Sequence, residues 1–264
     1  MMLDSTVRHF LSKHGIRLNK DLGQHFLINE SVLDRIVEAA NIQPKDTIVE
    51  IGAGIGILTR ELVKKAQRVT AIEIDAKLIP LLKEFTANPT HLTIINGNAL
   101  HISFPTEPYK IVANIPYHIT SPLLRHAFLE SSSPPQSLTL LIQREVAKKI
   151  CDTNNAGLLT IVVGLFGIPK IVATISPSAF LPPPKVDSAI LHIQCFEKPR
   201  TTPQMTERIL ALVKLAFSQK RKMLCNTIGS LPDGLDRLAR ADLDPQRRPQ
   251  TLTIEEWIQL AKAS

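Results

Sequence analysis

The chain has 264 residues, of which 44% are hydrophobic, 21% charged and 5% aromatic, a globular composition that excludes a disordered or fibrous protein. Its 31 Lys and Arg against 24 Asp and Glu leave a formal charge of +7, a bias toward polyanionic partners. Cys151, Cys195 and Cys225 are scattered and form no CxxC pair, so neither a disulfide framework nor a zinc or other metal site is expected.

The elements follow in chain order. A basic amphipathic stretch over 5–15 carries Arg8 and Lys13, with Arg17 and Lys20 after it, and lacks the apolar core of a secretory signal. Asn29 is placed to cap a helix over 30–40. From 47 a βαβ rhythm sets in: strands over 47–51, 69–74, 92–95, 111–113 and 138–142, with helices over 57–65, 76–85, 122–129 and 144–150. Such alternation predicts a mostly parallel sheet covered on both faces. The longest apolar stretch, about 158–168, is interrupted by Thr160, Gly164 and Gly167 and is shorter than the roughly 20 residues of a membrane span. Strand-like runs over 168–175 and 186–196 flank a proline-dense loop, an arrangement that fits an antiparallel pair at the sheet edge. Pro199 and Pro203 then read as a linker into short helices, which places a sheet domain over 1–197 and a helical domain over 198–264. No membrane association is expected, and the location expected is the cytoplasm.

The first chemical signal is Glu50-Ile51-Gly52-Ala53-Gly54-Ile55-Gly56, a strand end that carries an acid and then alternating glycines. Glycines there let backbone approach a ligand closely, although a glycine cluster alone can be no more than a tight packing turn. Glu73 ends the next predicted strand 21 residues after Gly52, where an acid can accept from ribose hydroxyls. The spacing is G-x-G-x-G, not the G-x-G-x-x-G of dinucleotide sites, which leaves nicotinamide as the lesser alternative. It resembles the S-adenosylmethionine turn of class I methyltransferases.

The second signal, Asn114-Ile115-Pro116-Tyr117, follows the fourth predicted strand, at the sheet edge where ligands of open α/β folds bind. An exocyclic adenine amine is a poor nucleophile because its lone pair is delocalised into the ring. The Asn114 side-chain oxygen and a backbone carbonyl near Ile115 or Pro116 offer two acceptors for that amine, and Pro116 adds no competing N–H. Tyr117 is placed to stack on the base. Displacement at a sulfonium methyl needs alignment and charge placement, not a covalent nucleophile or a metal.

With Leu22-Gly23-Gln24-His25-Phe26-Leu27, Ile72-Glu73-Ile74-Asp75, Gln143-Arg144-Glu145-Val146, the 180–188 string and Phe217-Ser218-Gln219-Lys220-Arg221-Lys222, these segments make the chain similar to the ribosomal RNA adenine dimethylase family over nearly its whole length. The resemblance implies a Rossmann-like class I S-adenosylmethionine-dependent methyltransferase sheet with a small C-terminal α-helical domain. It further implies dimethylation of the N6 groups of two adjacent adenosines near the 3′ end of small-subunit rRNA, within a pre-ribosomal small subunit, by a monomer. Cofactor contacts are implied at His25, Leu27, Gly52, Glu73, Asn98 and Asn114, with Gln24 and Gly54 shaping the same pocket. Catalytic roles fall to Asn114, Pro116, Tyr117 and Phe180, the last as a second aromatic wall for the base. Lys220, Arg221 and Lys222, expected on a helix, are implied to hold rRNA phosphates.

Three positions depart from the family pattern. His25 and His118 stand where asparagine is usual, and Asn98 stands where an acid usually accepts from the cofactor's adenine amine. Asn98 can accept through its amide oxygen but without charge, so weaker cofactor binding is expected. Two alternatives stay open: the branch acting on large-subunit rRNA, against which the 180–188 string and the helical tail count, and a non-catalytic ribosome-assembly factor or RNA-binding transcription factor on the same fold.

Overall fold

The structure, a computed structural model, describes residues 3–16, 23–219 and 221–263. Helix α1 (Leu3–Lys13) buries Leu3, Val7 and Leu11, the one-sided spacing of an amphipathic helix. After the short strand β1 (Phe26–Leu27), Asn29 turns the chain into α2 (Glu30–Ala39), its side-chain oxygen accepting the Val32 N–H at 3.2 Å. The alternation follows as β2 (Thr47–Ile51), α3 (Ile57–Leu62), β3 (Arg68–Glu73), α4 (Ile79–Thr86), β4 (Leu92–Asn96), β5 (Lys110–Asn114), α5 (Thr120–Arg125), β6 (Ser137–Gln143) and α6 (Arg144–Cys151). Then come α7 (Leu158–Phe166), β7 (Gly167–Ile175), β8 (Phe180–Leu181), β9 (Ser188–Cys195), α8 (Pro203–Phe217), α9 (Gly234–Arg240) and α10 (Ile254–Lys262).

Seven strands form one sheet in the order β4-β3-β2-β5-β6-β9-β7, and β1 pairs separately with β8. Strands β2 to β6 are mutually parallel, whereas β9 runs antiparallel to β6. The chain moves outward from β2 through β3 to β4 and then returns to the other flank of β2 as β5. At that reversal the turns after β2 and β5 diverge and leave a crevice at the carboxyl ends of the strands. Burial along β2 and β6 is almost continuous, as expected for strands covered on both faces.

Three local expectations are corrected. The helix expected over 122–129 is α-helical only to Arg125 and continues as a π turn over His126–Glu130, closed where the Ser131 N–H and hydroxyl both bond the His126 carbonyl. The segment 158–166, unassigned from the sequence, is helix α7; it is apolar on nearly every side, so no periodicity marks it. Arg221 and Lys222 lie in a turn beyond α8 and not on a helix, because the Ser218 hydroxyl caps the Leu215 carbonyl at 2.7 Å and the Lys222 N–H bonds back to Gln219 at 2.9 Å. Lys220 and Leu22, both singled out above, lie outside the described residues.

Contacts group the chain into two units, Met1–Ala147 with Lys170–Gln194, and Lys148–Pro169 with Cys195–Ser264. Residues 148–169 therefore group with the C-terminal helices, where a single boundary at 197/198 would have left them with the sheet. The reason is α7, whose buried Ile161, Val163, Leu165 and Phe166 require enclosure by other helices. Its Gly164 lies so close to α10 that an added Cβ would meet Ile254 Cδ1 at 2.8 Å.

Because Asn29 satisfies one of the first N–H groups of α2, Asn29→Ala is expected to cost about 1 kcal/mol in a urea titration, and Asn29→Asp close to nothing.

Candidate active site

The crevice at the carboxyl ends of β2 and β5 is a cavity lined by Gln24, His25, Leu27, Gly52, Gly54, Glu73, Asn98, Asn114, Pro116 and Tyr117. Ten residues singled out from five separate segments thus converge in one place. Glu50, Phe26 and His118 line it as well.

The glycine turn owes its shape to close approach. Gly52 and Gly54 have φ of +71° and +60°, in the left-handed region that side chains resist. A Cβ on Gly54 would meet the Phe26 ring at 2.7 Å, so no side chain fits between β1 and the turn; one on Gly52 would project toward the Asn114 carbonyl and Pro116 at 3.6 Å, into the cavity wall. The turn is tied to the next strand by Glu73, whose Oε2 accepts the Gly54 N–H at 2.7 Å and whose Oε1 accepts the Asp75 N–H at 2.9 Å. Burial raises the Glu73 pKa, with the Asp75 charge adding to the rise and the two N–H donors opposing it. Asp75 in turn accepts from Gln24 Nε2 at 3.1 Å, which fixes the Gln24 segment over the turn.

At the end of β5, Asn114 Nδ2 donates to the His25 carbonyl at 3.1 Å. A carbonyl partner requires the amide nitrogen there, so Oδ1 is left as the acceptor of this side chain. The Pro116 carbonyl is engaged by the Ile119 N–H at 3.1 Å, and the Tyr117 carbonyl by the Thr120 hydroxyl at 3.0 Å. Tyr117 is anchored through its hydroxyl to Ser188 Oγ at 2.7 Å; burial raises its pKa, so the phenol stays protonated. The His25 ring lies near-parallel to it, with centroids 6.0 Å apart and planes at 19°, and its Nδ1 donates to the Pro182 carbonyl at 2.7 Å.

Asn98 caps a short 3-10 turn, its Oδ1 accepting the Leu100 N–H at 3.0 Å. One lone pair of the oxygen expected to meet the adenine amine is therefore committed, and the side chain's own NH2 is a donor. Phe180 does not line the cavity: it pairs with Leu27 across the β1–β8 ladder and is 2% exposed, packed into the core. Arg221 and Lys222 are exposed and belong to the other unit. Among the described residues no group of His, Cys, Asp or Glu is arranged to hold a metal ion, and no helix is long and apolar enough to cross a membrane.

Sequence reasoning singled out Glu50 only as part of a motif, yet it is the most perturbed carboxyl of the site. It is 1% exposed, and its Oε2 has no hydrogen-bond partner among the described residues. Burial pushes its pKa up to about 8, with the Glu73 charge adding to the rise and the nearby Thr59 hydroxyl and N–H opposing it. The available signal was an acid set between Val49 and Ile51 at the end of a wholly buried strand. Between the ordinary carboxylate range and about pH 8 the folded chain holds this proton and the unfolded chain does not. Stability is thus undiminished below that range and declines as pH rises through it, by an amount on the order of a few kcal/mol. Chemical denaturation from about pH 5 to pH 8 is expected to show that decline in the parent protein and a much flatter profile for Glu50→Gln.

Residues 15–264 match the family model described as ribosomal RNA adenine dimethylase. The chain is 38% identical to the ribosomal RNA small subunit methyltransferase A of Alkaliphilus metalliredigens, over 98% of this chain and 96% of that protein. It is 40% identical to the protein of the same name from Dehalococcoides mccartyi, over 98% and 92%. Among solved structures, a dimethyladenosine transferase from Plasmodium falciparum superposes with a TM-score of 0.77 at 28% identity, covering 89% of this chain and 96% of that one. The 23S rRNA methyltransferase ErmE gives 0.74 at 28%, covering 90% and 98%. The fold is that of the class I methyltransferases, and the chain belongs to the ribosomal RNA adenine dimethylase family.

Proposed function

We propose that this chain dimethylates the N6 amino groups of two adjacent adenosines near the 3′ end of small-subunit rRNA, with S-adenosylmethionine as methyl donor. The observation that carries the reading is the orientation of Asn114: its nitrogen is spent on the His25 carbonyl, so it offers an oxygen beside the glycine turn that Glu73 holds open. The names of the relatives support the substrate class, and the two solved neighbours are by their names an rRNA methyltransferase and a dimethyladenosine transferase.

The residues fit the cofactor. Gly52 and Gly54 make a left-handed turn that lines the cavity, Glu73 sits where ribose hydroxyls can join its two N–H donors, and among the described residues no Lys or Arg lines the cavity to repel a cation. When bound, S-adenosylmethionine supplies a methyl group activated by a positively charged sulfur. Asn114 Oδ1 and the Ile115 carbonyl accept the two N–H bonds of the target amine and turn its lone pair toward the methyl group; the Pro116 and Tyr117 carbonyls are already engaged. Tyr117, held by Ser188, stacks on the base, and extraction of the base is offset by stacking worth roughly 1 to 3 kcal/mol. Phe180 supplies the second aromatic wall for the base, and the His25 ring lies near-parallel to Tyr117. Arg221 and Lys222, with Lys220, hold rRNA phosphates of a pre-ribosomal small subunit, on which the chain acts as a cytoplasmic monomer. All three departures from the family, His25, Asn98 and His118, lie in the cavity lining, so none favours a non-catalytic role.

In a radiolabelled methyl-transfer assay on undermodified small subunits, Asn114→Ala is expected to lower kcat by about a hundredfold or more, and equal rates for the two proteins would sink the assignment. Asn98→Asp keeps the cap with one oxygen and offers the other, charged, to the adenine amine; cofactor affinity should rise roughly five- to tenfold by calorimetry.

A further inference from the structure

Two carboxyl groups line the cavity from adjacent strand ends, and their surroundings differ. Glu73 has a backbone N–H on each oxygen, at 2.7 and 2.9 Å. Glu50 lies in register with Ala71 of β3, is 1% exposed, and leaves Oε2 without a partner among the described residues, with the Thr59 hydroxyl and N–H beside its carboxyl. A buried carboxylate oxygen with no donor is not sustainable as a charge, whereas the neutral acid is.

The charged and titratable groups around it make the case specific. From β3 come Glu73 and, behind it, Asp75; from the segment before β1 comes His25; from the turn after β5 come Tyr117 and His118. On α3, Arg60 is paired with Glu61 and stacked over the Phe85 ring, so it is turned to other partners. Among the described residues no Lys or Arg lines the cavity. The pocket thus holds a second carboxyl whose Oε2 has neither a hydrogen-bond donor nor a cation of its own among the described residues, which leaves a ligand as the source of the missing positive charge.

We infer that Glu50 is a proton-linked counter-ion for the cofactor: a neutral acid in the protein alone, it ionises when a ligand of net positive charge enters, so that cofactor uptake releases a proton. The inference rests on the reading of this cavity as the S-adenosylmethionine site. The step balances simply. The carboxyl O–H bond breaks, the proton passes to solvent, and the carboxylate offsets the ligand's net positive charge. S-adenosylhomocysteine lacks the sulfonium, is neutral overall and draws out the proton far less.

Isothermal calorimetry at about pH 7, in buffers of differing ionisation heat, reads the protons released per ligand bound. Close to one proton is expected for S-adenosylmethionine with the parent protein, and a small fraction of one for S-adenosylhomocysteine. With Glu50→Gln the proton should disappear. The dissociation constant for S-adenosylmethionine should fall nearly tenfold per pH unit below about pH 8 in the parent and stay flatter in the variant, which shares the same histidines and the same ligand amine. Should the variant fail to fold, infrared difference spectra of the parent serve instead: the carbonyl band of a protonated carboxyl is expected to vanish on adding S-adenosylmethionine. Binding with neither proton release nor loss of that band overturns the inference and leaves the cofactor reading intact. No binding of either ligand overturns the cofactor reading, and the linkage with it.

Discussion

The bond from the Gly54 N–H to the Glu73 carboxylate, 2.7 Å long and buried, ties the turn after β2 to the end of β3. Without it a turn of left-handed glycines has no reason to hold one shape, because glycine loses more conformational freedom on ordering than any other residue. With it, the carboxyl ends of β2, β3 and β5 present their groups in fixed register. The parallel pairing of β2 with both β3 and β5 sets that register. The Phe26 ring closes the turn from the other side, at a distance that admits no side chain on Gly54.

The same strand ends show how environment separates two identical functional groups. Glu50 and Glu73 are both buried and burial raises the pKa of each, but Glu73 has a backbone N–H on each oxygen whereas Glu50 Oε2 has no partner among the described residues. Among the described residues the cavity combines a carboxyl with an N–H on each oxygen, a carboxyl with one unpartnered oxygen and no lining Lys or Arg. That property belongs to neither residue alone.

The acceptor at the end of β5 is also made by context. An asparagine can present either end of its amide, and the His25 carbonyl decides between them by taking the nitrogen. The loop that carries His25 is held in turn by the Pro182 carbonyl on its ring and, one residue earlier, by Asp75 on Gln24. The geometry of the acceptor is thereby linked to segments far apart in the chain.

Much of this was legible in the amino-acid order. Alternating strand and helix periods, the glycine spacing, the acid 21 residues beyond Gly52 and the Asn-Ile-Pro-Tyr turn are local patterns, and local patterns imply a parallel sheet with its ligands at one edge. Helix α7 was not legible, because a segment buried on all sides has no polar face to reveal its period. Nor was the end of α8, settled by a serine cap and not by charge spacing. Which atom of Asn114 is presented and how strongly the Glu50 pKa is raised depend on partners supplied by distant segments. Such partners meet only when the sheet has closed, so pairing distances and burial, which no spacing in the chain encodes, decided them.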